Sequence, residues 1–135
     1  METITLENDI TTCCVAAVSF PGGVMDAHNK IHALIPANET RKYFGISRPN
    51  KGQIAYWAAA ELNKNEIGTV NCDISIVLKK GKYIAATIKD FMSDLSAIGN
   101  TFQQMLANPD IDPNGYCVEW YFNDKDIRCM VRLAD

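Results

Sequence analysis

Apolar positions recur along this chain with two periods, and the change from one to the other divides it into elements. Residues 11–20, "TTCCVAAVSF", are small, β-branched and apolar, which predicts a strand stopping at Pro21-Gly22-Gly23. Val24, Ala27, Ile31, Leu34 and Ile35 then return at helical spacing, and Pro36 marks the stop. Residues 41–49 and 53–62 read as two strands of a hairpin around "NKG". A polar linker, "NKNEIGTVNCD", follows, and the order begins again. "GKYIAATIKD" (81–90) predicts a strand, and Phe91 to Ala107 a helix with Leu95, Ile98, Phe102, Met105 and Leu106 on one face. "NPDIDPNG" breaks that helix, and "YCVEWYF" and "IRCMVRL" form a second hairpin around "NDKD".

Strand, helix, strand, strand thus occurs twice, over about residues 11–62 and 81–133. The expected architecture is α+β: two βαββ units related by a pseudo-two-fold axis, a mainly antiparallel sheet, and two long helices covering one face. At 135 residues, 47% of them hydrophobic, the chain is long enough for one core, so residues 1–135 are expected to form a single domain.

Side-chain alternation then sorts each strand into two sides. In the last hairpin Tyr116, Val118, Trp120 and Phe122 share one side, and Cys117, Glu119 and Tyr121 the other. The first set is the more apolar and is assigned to the helices, as are Ile127, Cys129, Val131 and Leu133. The helix-free face then collects Tyr43, Trp57, Glu61, Glu119 and Tyr121. A solvated sheet face would carry a lone glutamate as an ordinary polar residue. Aromatic rings beside it favour a flat or cationic organic ligand, because they add contact area and a negative π face to the charge. A desolvated carboxylate also suits general acid or base work.

Charge and cysteine usage narrow the classes. A formal net charge of -3 and the lack of any Lys/Arg cluster argue against nucleic acid as a direct ligand. The first residues lack a basic start followed by an apolar run, and no apolar run reaches a bilayer span, so a soluble, cytoplasmic protein without membrane contact is expected. Cys13, Cys14, Cys72, Cys117 and Cys129 are odd in number, with no C-x-x-C spacing. They read as reduced, mostly buried thiols, neither a disulfide framework nor a zinc site.

Other motifs are weaker. His28 and His32 stand four apart on the first helix, a metal-binding spacing, but no third ligand is evident and the plain reading is a boundary pair. "GISRP" lacks the second glycine of a nucleophile elbow, so Ser47 reads as a strand residue. Adjacent Cys13 and Cys14 point to opposite faces and read as packing. "PGG" reads as a tight turn into the helix rather than an anion loop.

The doubled βαββ pattern, "KYFGIS" opening the first hairpin, "KKGKYIAATIKD" before the second helix, and "CVEWYF" with its following strand resemble the gyrase-inhibitor-like (GyrI-like) effector-binding domain, over about Thr11 to Leu133. That domain occurs alone and as the sensing part of AraC-type and MerR-type multidrug regulators. The resemblance implies a central cleft that binds a hydrophobic or cationic small molecule without a cofactor or metal. It matches the family's buried glutamate to Glu119 and its companion position to Tyr121; Tyr43 and Trp57 are wall candidates by position alone. Lys80 stands where a lead-in proline is usual, and the chain has no helix-turn-helix, which speaks against direct action as a transcription factor. Ligand sensing or sequestration is the preferred expectation. Some relatives hydrolyse cyclopropane-bearing toxins, so the alternatives are a hydrolase using Glu119 as general base, or a protein-interaction module acting on a regulator or gyrase.

Overall fold

The computed structural model describes Met1–Asp135. Lys51 and Gly52, with φ of 52° and 79°, form the two-residue turn whose twist matches flanking strands. It joins β3 (Tyr43–Asn50) to β4 (Gln53–Glu61), as "NKG" predicts. The chain runs β1 (Glu2–Leu6), β2 (Ile10–Ala16), α1 (Val24–Leu34), β3, β4, β5 (Ile74–Leu78), β6 (Gly81–Ile88), α2 (Ser96–Leu106), β7 (Cys117–Trp120) and β8 (Ile127–Arg132).

Paired βαββ units with two long helices on one face and a central cleft are not what forms. All eight strands join one antiparallel sheet, in the order β1-β6-β8-β7-β3-β4-β2-β5, which curls into a half-barrel. Two strands escape the helical and hairpin patterns: β1 at the N-terminus, and β5 just past the polar linker. Each edge strand pairs with the other half of the chain, β1 on β6 and β5 on β2. Each half is therefore ββαββ, and the sheet is continuous where a cleft was expected.

The helices are short, 11 residues each, or about three turns. The second begins five residues later than its apolar pattern suggests. Asp90 takes a left-handed φ of 50°, Phe91–Ser93 makes only a turn of 3-10 helix, and Asp94 is non-helical before Ser96 starts α2.

Both sheet faces are buried, which is why apolarity alone assigns strands to the wrong side. The concave face packs Phe44, Ile46, Ala59, Val118 and Met130 with Ile10 and Leu78 from the rims. On the convex face, α1 covers Cys13, Tyr43, Ala58 and Ala60 through Ala27 and Ile31. There α2 covers Cys117, Ile127, Cys129 and Val131 through Phe102 and Met105. β4 and β8 have the sidedness expected; β3 and β7 are reversed. No helix is long and apolar enough to cross a membrane.

One covalent link also departs from expectation. Cys13 is joined to Cys72 by a disulfide, while Cys14, Cys117 and Cys129 remain free and buried. The two partners are 59 residues apart, and only the pairing of β2 with β4 and β5 brings the linker back over Cys13.

Candidate functional site

The carboxylate at the centre of β7 lies on the convex face, between the parts of the sheet covered by α1 and α2. Gly45 is directly opposite Glu119 across the β3–β7 pair, and Ala58 is opposite Gly45 across β3–β4. Two small residues in a row leave room above the sheet, and Tyr56 fills it. A Cβ on Gly45 would fall 2.0 Å from Tyr56 Oη and 3.0 Å from Glu119 Oε1. The glycine is needed for close approach rather than for a special backbone angle.

Two phenols converge on one oxygen. Tyr121 Oη donates to Glu119 Oε1 at 2.5 Å, and Tyr56 Oη donates to the same oxygen at 3.3 Å. The hydroxyls lie 3.2 Å apart. On the other side of Tyr56, His28 Nε2 from α1 sits 2.8 Å from the hydroxyl. When His28 Nε2–H donates to Tyr56, Tyr56 donates to Glu119 and Tyr121 donates as well, so every polar hydrogen in the chain is used. Glu119 Oε2 takes no hydrogen bond from the protein.

Glu119 is 8% exposed and Tyr56 3%. No Lys or Arg forms a salt bridge with the carboxylate. Burial therefore dominates and raises the Glu119 carboxyl above the usual range, against the lowering effect of the two tyrosine bonds. Burial and the adjacent carboxylate push both phenols up. Cys117 is raised to about 11 and Cys129 to about 12, first by burial and then by Glu119, so both remain thiols. His28 is pushed down to about 4 by burial and by His32. At neutral pH the imidazole is uncharged.

Aromatic edges close the cluster. His28 meets Tyr121 edge-on at 5.1 Å, Phe20 lies 5.8 Å from Tyr56, and Phe91 lies 5.8 Å from Tyr121. Phe20 and Phe91 occupy matching places, in the segments leading into α1 and α2. Tyr43 is on the same face but turned under α1, where its hydroxyl donates to the Ile35 carbonyl and its ring stacks on His32 at 3.9 Å.

Of the four residues expected to form the site, the structure brings Glu119 and Tyr121 together and places Tyr43 nearby. Trp57 is on the opposite face, beside Tyr116 at 6.1 Å. The face itself is corrected: these residues lie under the helices, because the helix-free side is filled by the concave core. Tyr56 and His28 were missed. Alternation did put Tyr56 on the helix side, and the relevant signal was Gly45 in "KYFGIS", which marks a close approach. His28 and His32 point to different partners, Tyr56 and Tyr43, and no group of three His, Cys, Asp or Glu side chains that could hold a metal comes together.

Two consequences are measurable. Gly45→Ala should displace the Tyr56 ring and destabilise the protein by about 1–3 kcal/mol, the usual range for overpacking. A urea midpoint equal to that of the parent would show that the ring has room to spare. His28 makes stability depend on pH. Its folded value lies below the ordinary one, so its contribution is complete above about pH 6.5 and is lost as pH falls toward 4, amounting to about 3 kcal/mol. In His28→Gln that part of the acid loss should vanish; parallel stability curves for the two proteins between pH 7 and 4 would refute it.

No family model matches the chain, and no curated protein matches it in sequence. Solved structures do share the fold. An integron cassette protein from the mobile metagenome of Vibrio cholerae superposes with a TM-score of 0.69 at 11% identity, over 98% of this chain and 95% of that one. A hydrolase from Listeria innocua gives 0.54 at 10% identity, over 98% and 90%. At these identities the likeness is one of fold.

Proposed function

We propose that this protein binds a hydrophobic, cationic small organic molecule at the Glu119 cluster, for sensing or sequestration, in the manner of the GyrI-like effector-binding domains that its sequence resembles. The observation that carries this reading is a buried carboxylate with no cationic partner, surrounded by tyrosine and phenylalanine rings. Such a group lacks a countercharge in its own fold, and an organic cation supplies both charge and apolar surface. Tyr121 and Tyr56 hold Oε1, which leaves Oε2 for the ligand. Phe20 packs on Tyr56 and Phe91 on Tyr121 from the two helix-leading segments, and their rings are the apolar surface beside the carboxylate.

A second reading has a specific support. A carboxyl raised by burial and oriented by two phenols is suited to general base or acid work, and one structure with this fold is a hydrolase. Under that reading Glu119 takes a proton from water as the water oxygen bonds to a ring carbon of a cyclopropane-bearing toxin; the strained C–C bond breaks, and its electron pair takes up the proton returned by Glu119. In the cytoplasm glutathione would keep Cys13–Cys72 open, and an oxidising compartment would close it.

A thermal-shift screen against organic cations tests the binding reading, because a ligand at a hundred times its dissociation constant adds about 2.7 kcal/mol. A panel of aromatic and aliphatic cations that leaves the melting temperature unchanged would sink it.

A further inference from the structure

A curled sheet that does not close has two edges, and each leaves a row of backbone groups outside the ladder. Here the edges are β1 and β5. On β2 the Thr11 carbonyl accepts from the Leu62 amide, and the Ala17 amide donates to the Tyr56 carbonyl, so odd-numbered residues bond toward β4. Even-numbered residues of β2 therefore bond toward β5, where Ile10, Thr12 and Cys14 face Leu78, Ile76 and Ile74. That leaves Ser75 and Val77 of β5 with N–H and C=O groups directed out of the sheet. Asp112, Asn114 and Gly115 approach the Val77–Lys79 end of the strand across a cavity of about 50 Å³, and no backbone hydrogen bond crosses it.

Proteins commonly protect such an edge with a charge or a proline inside the strand, and β5, "ISIVL", has neither. Its charges stand just outside, Asp73 at one end and Lys79 at the other, both exposed and neither in a salt bridge. Backbone direction limits how two copies of this edge can pair, since outward residues must meet outward residues. A two-fold axis through Ile76 meets that condition: Ser75 faces Val77 of the second copy and Val77 faces its Ser75, which makes four hydrogen bonds. In that register Asp73 falls opposite Lys79 of the second copy, and Lys79 opposite its Asp73. Moving the axis to Ser75 or Val77 keeps the backbone bonds but puts Asp73 opposite Val77 or Gly81. Charge therefore selects one register, and in it Ile74, Ile76 and Leu78 meet Leu78, Ile76 and Ile74, apolar against apolar.

We infer that β5 is a self-association edge, on which a second copy of this chain pairs antiparallel about Ile76 and joins the two sheets into one. The segment Asp73–Lys79 is complementary to itself in backbone direction, in apolar side chains and in charge. A two-fold pairing of this kind closes at two copies, because it uses the same edge of both. The edge is independent of Glu119, which lies on β7 with β3, β4 and β2 between.

Sedimentation of the full-length protein from micromolar to millimolar concentration tests this, and the parent should pass reversibly from monomer to dimer. Lys79→Glu should weaken the dimer about ten-fold, since two ion pairs become two like-charge contacts. Exchanging the charges, Asp73→Lys together with Lys79→Asp, should restore it. Val77→Pro removes an outward N–H that the sheet does not use, so it should be monomeric with a melting temperature near the parent's. Where that variant does not fold, Lys79→Glu and the exchange decide. Glu119→Gln should dimerise like the parent. A protein still monomeric at millimolar concentration, or one that forms open-ended oligomers, would overturn the inference. So would a dimer indifferent to Lys79→Glu, as expected of pairing through β1 or the helices, or a charge exchange that fails to restore association.

Discussion

Glu119→Gln is expected to weaken binding of a hydrophobic cation by about 30-fold to a few thousand-fold, the range that follows from losing 2–5 kcal/mol when one partner of a buried charge pair is removed. The amide is nearly isosteric and its oxygen still accepts from Tyr121, so the fold should survive. Calorimetric titration of parent and variant with a cation found by thermal shift gives the comparison. Affinity within two-fold of the parent would mean that the carboxylate is not the charge partner. If turnover is lost while affinity stays, the hydrolase reading takes its place.

The same variant has a signature that needs no ligand. The folded-state value of Glu119 is raised, so its contribution to stability is complete below the ordinary carboxylate range and is lost as pH rises through the folded value. Glu119→Gln should therefore melt above the parent at pH 8, with the gap closing toward pH 4. This slope is opposite to that of His28. A constant gap across that range would mean that Glu119 titrates as an ordinary exposed carboxyl.

Opening the Cys13–Cys72 bond is the other large effect expected. A link across 59 residues restricts the unfolded chain by about 4 kcal/mol, on the loop-entropy account. Cys13 is fully buried beneath Ala27 and Ile31 of α1, so the linkage also fastens the segment after β4 to the face that carries His28. Urea unfolding with and without reductant should show the midpoint falling, and Cys72→Ser should match the reduced parent. A reduced protein with an unchanged midpoint, its Cys13 and Cys72 thiols verified by alkylation after unfolding, would refute this.

Periodicity had made most of the interior of this fold legible. Helical spacing locates α1 within a residue, and alternation with turn chemistry finds the β3–β4 hairpin and its Lys51-Gly52 turn. β1 and β5 were not found because "ETITL" and "ISIVL" are short edge segments whose partners lie in the other half of the chain. Their hydrogen bonds are non-local, and nothing within five residues encodes them. The Cys13–Cys72 link was missed for the same reason. An odd cysteine count argues against a complete framework but does not exclude one pair brought together by strand order.

What the sequence determined by itself is which residues travel together: Cys117 with Glu119 and Tyr121, Tyr116 with Val118 and Trp120, because a strand's period of two allows nothing else. Which of those sets lies beneath the helices depends on how the strands pair in three dimensions. With both faces of a curled sheet buried, apolar content no longer tells inside from outside, and the pairing of β3 with β7 sets the choice. That pairing puts Gly45 against Glu119, admits Tyr56 above them, and sends Trp57 to the far side. A charge in an apolar strand was visible in the sequence; the enclosure of that charge by two tyrosines and a histidine required the sheet.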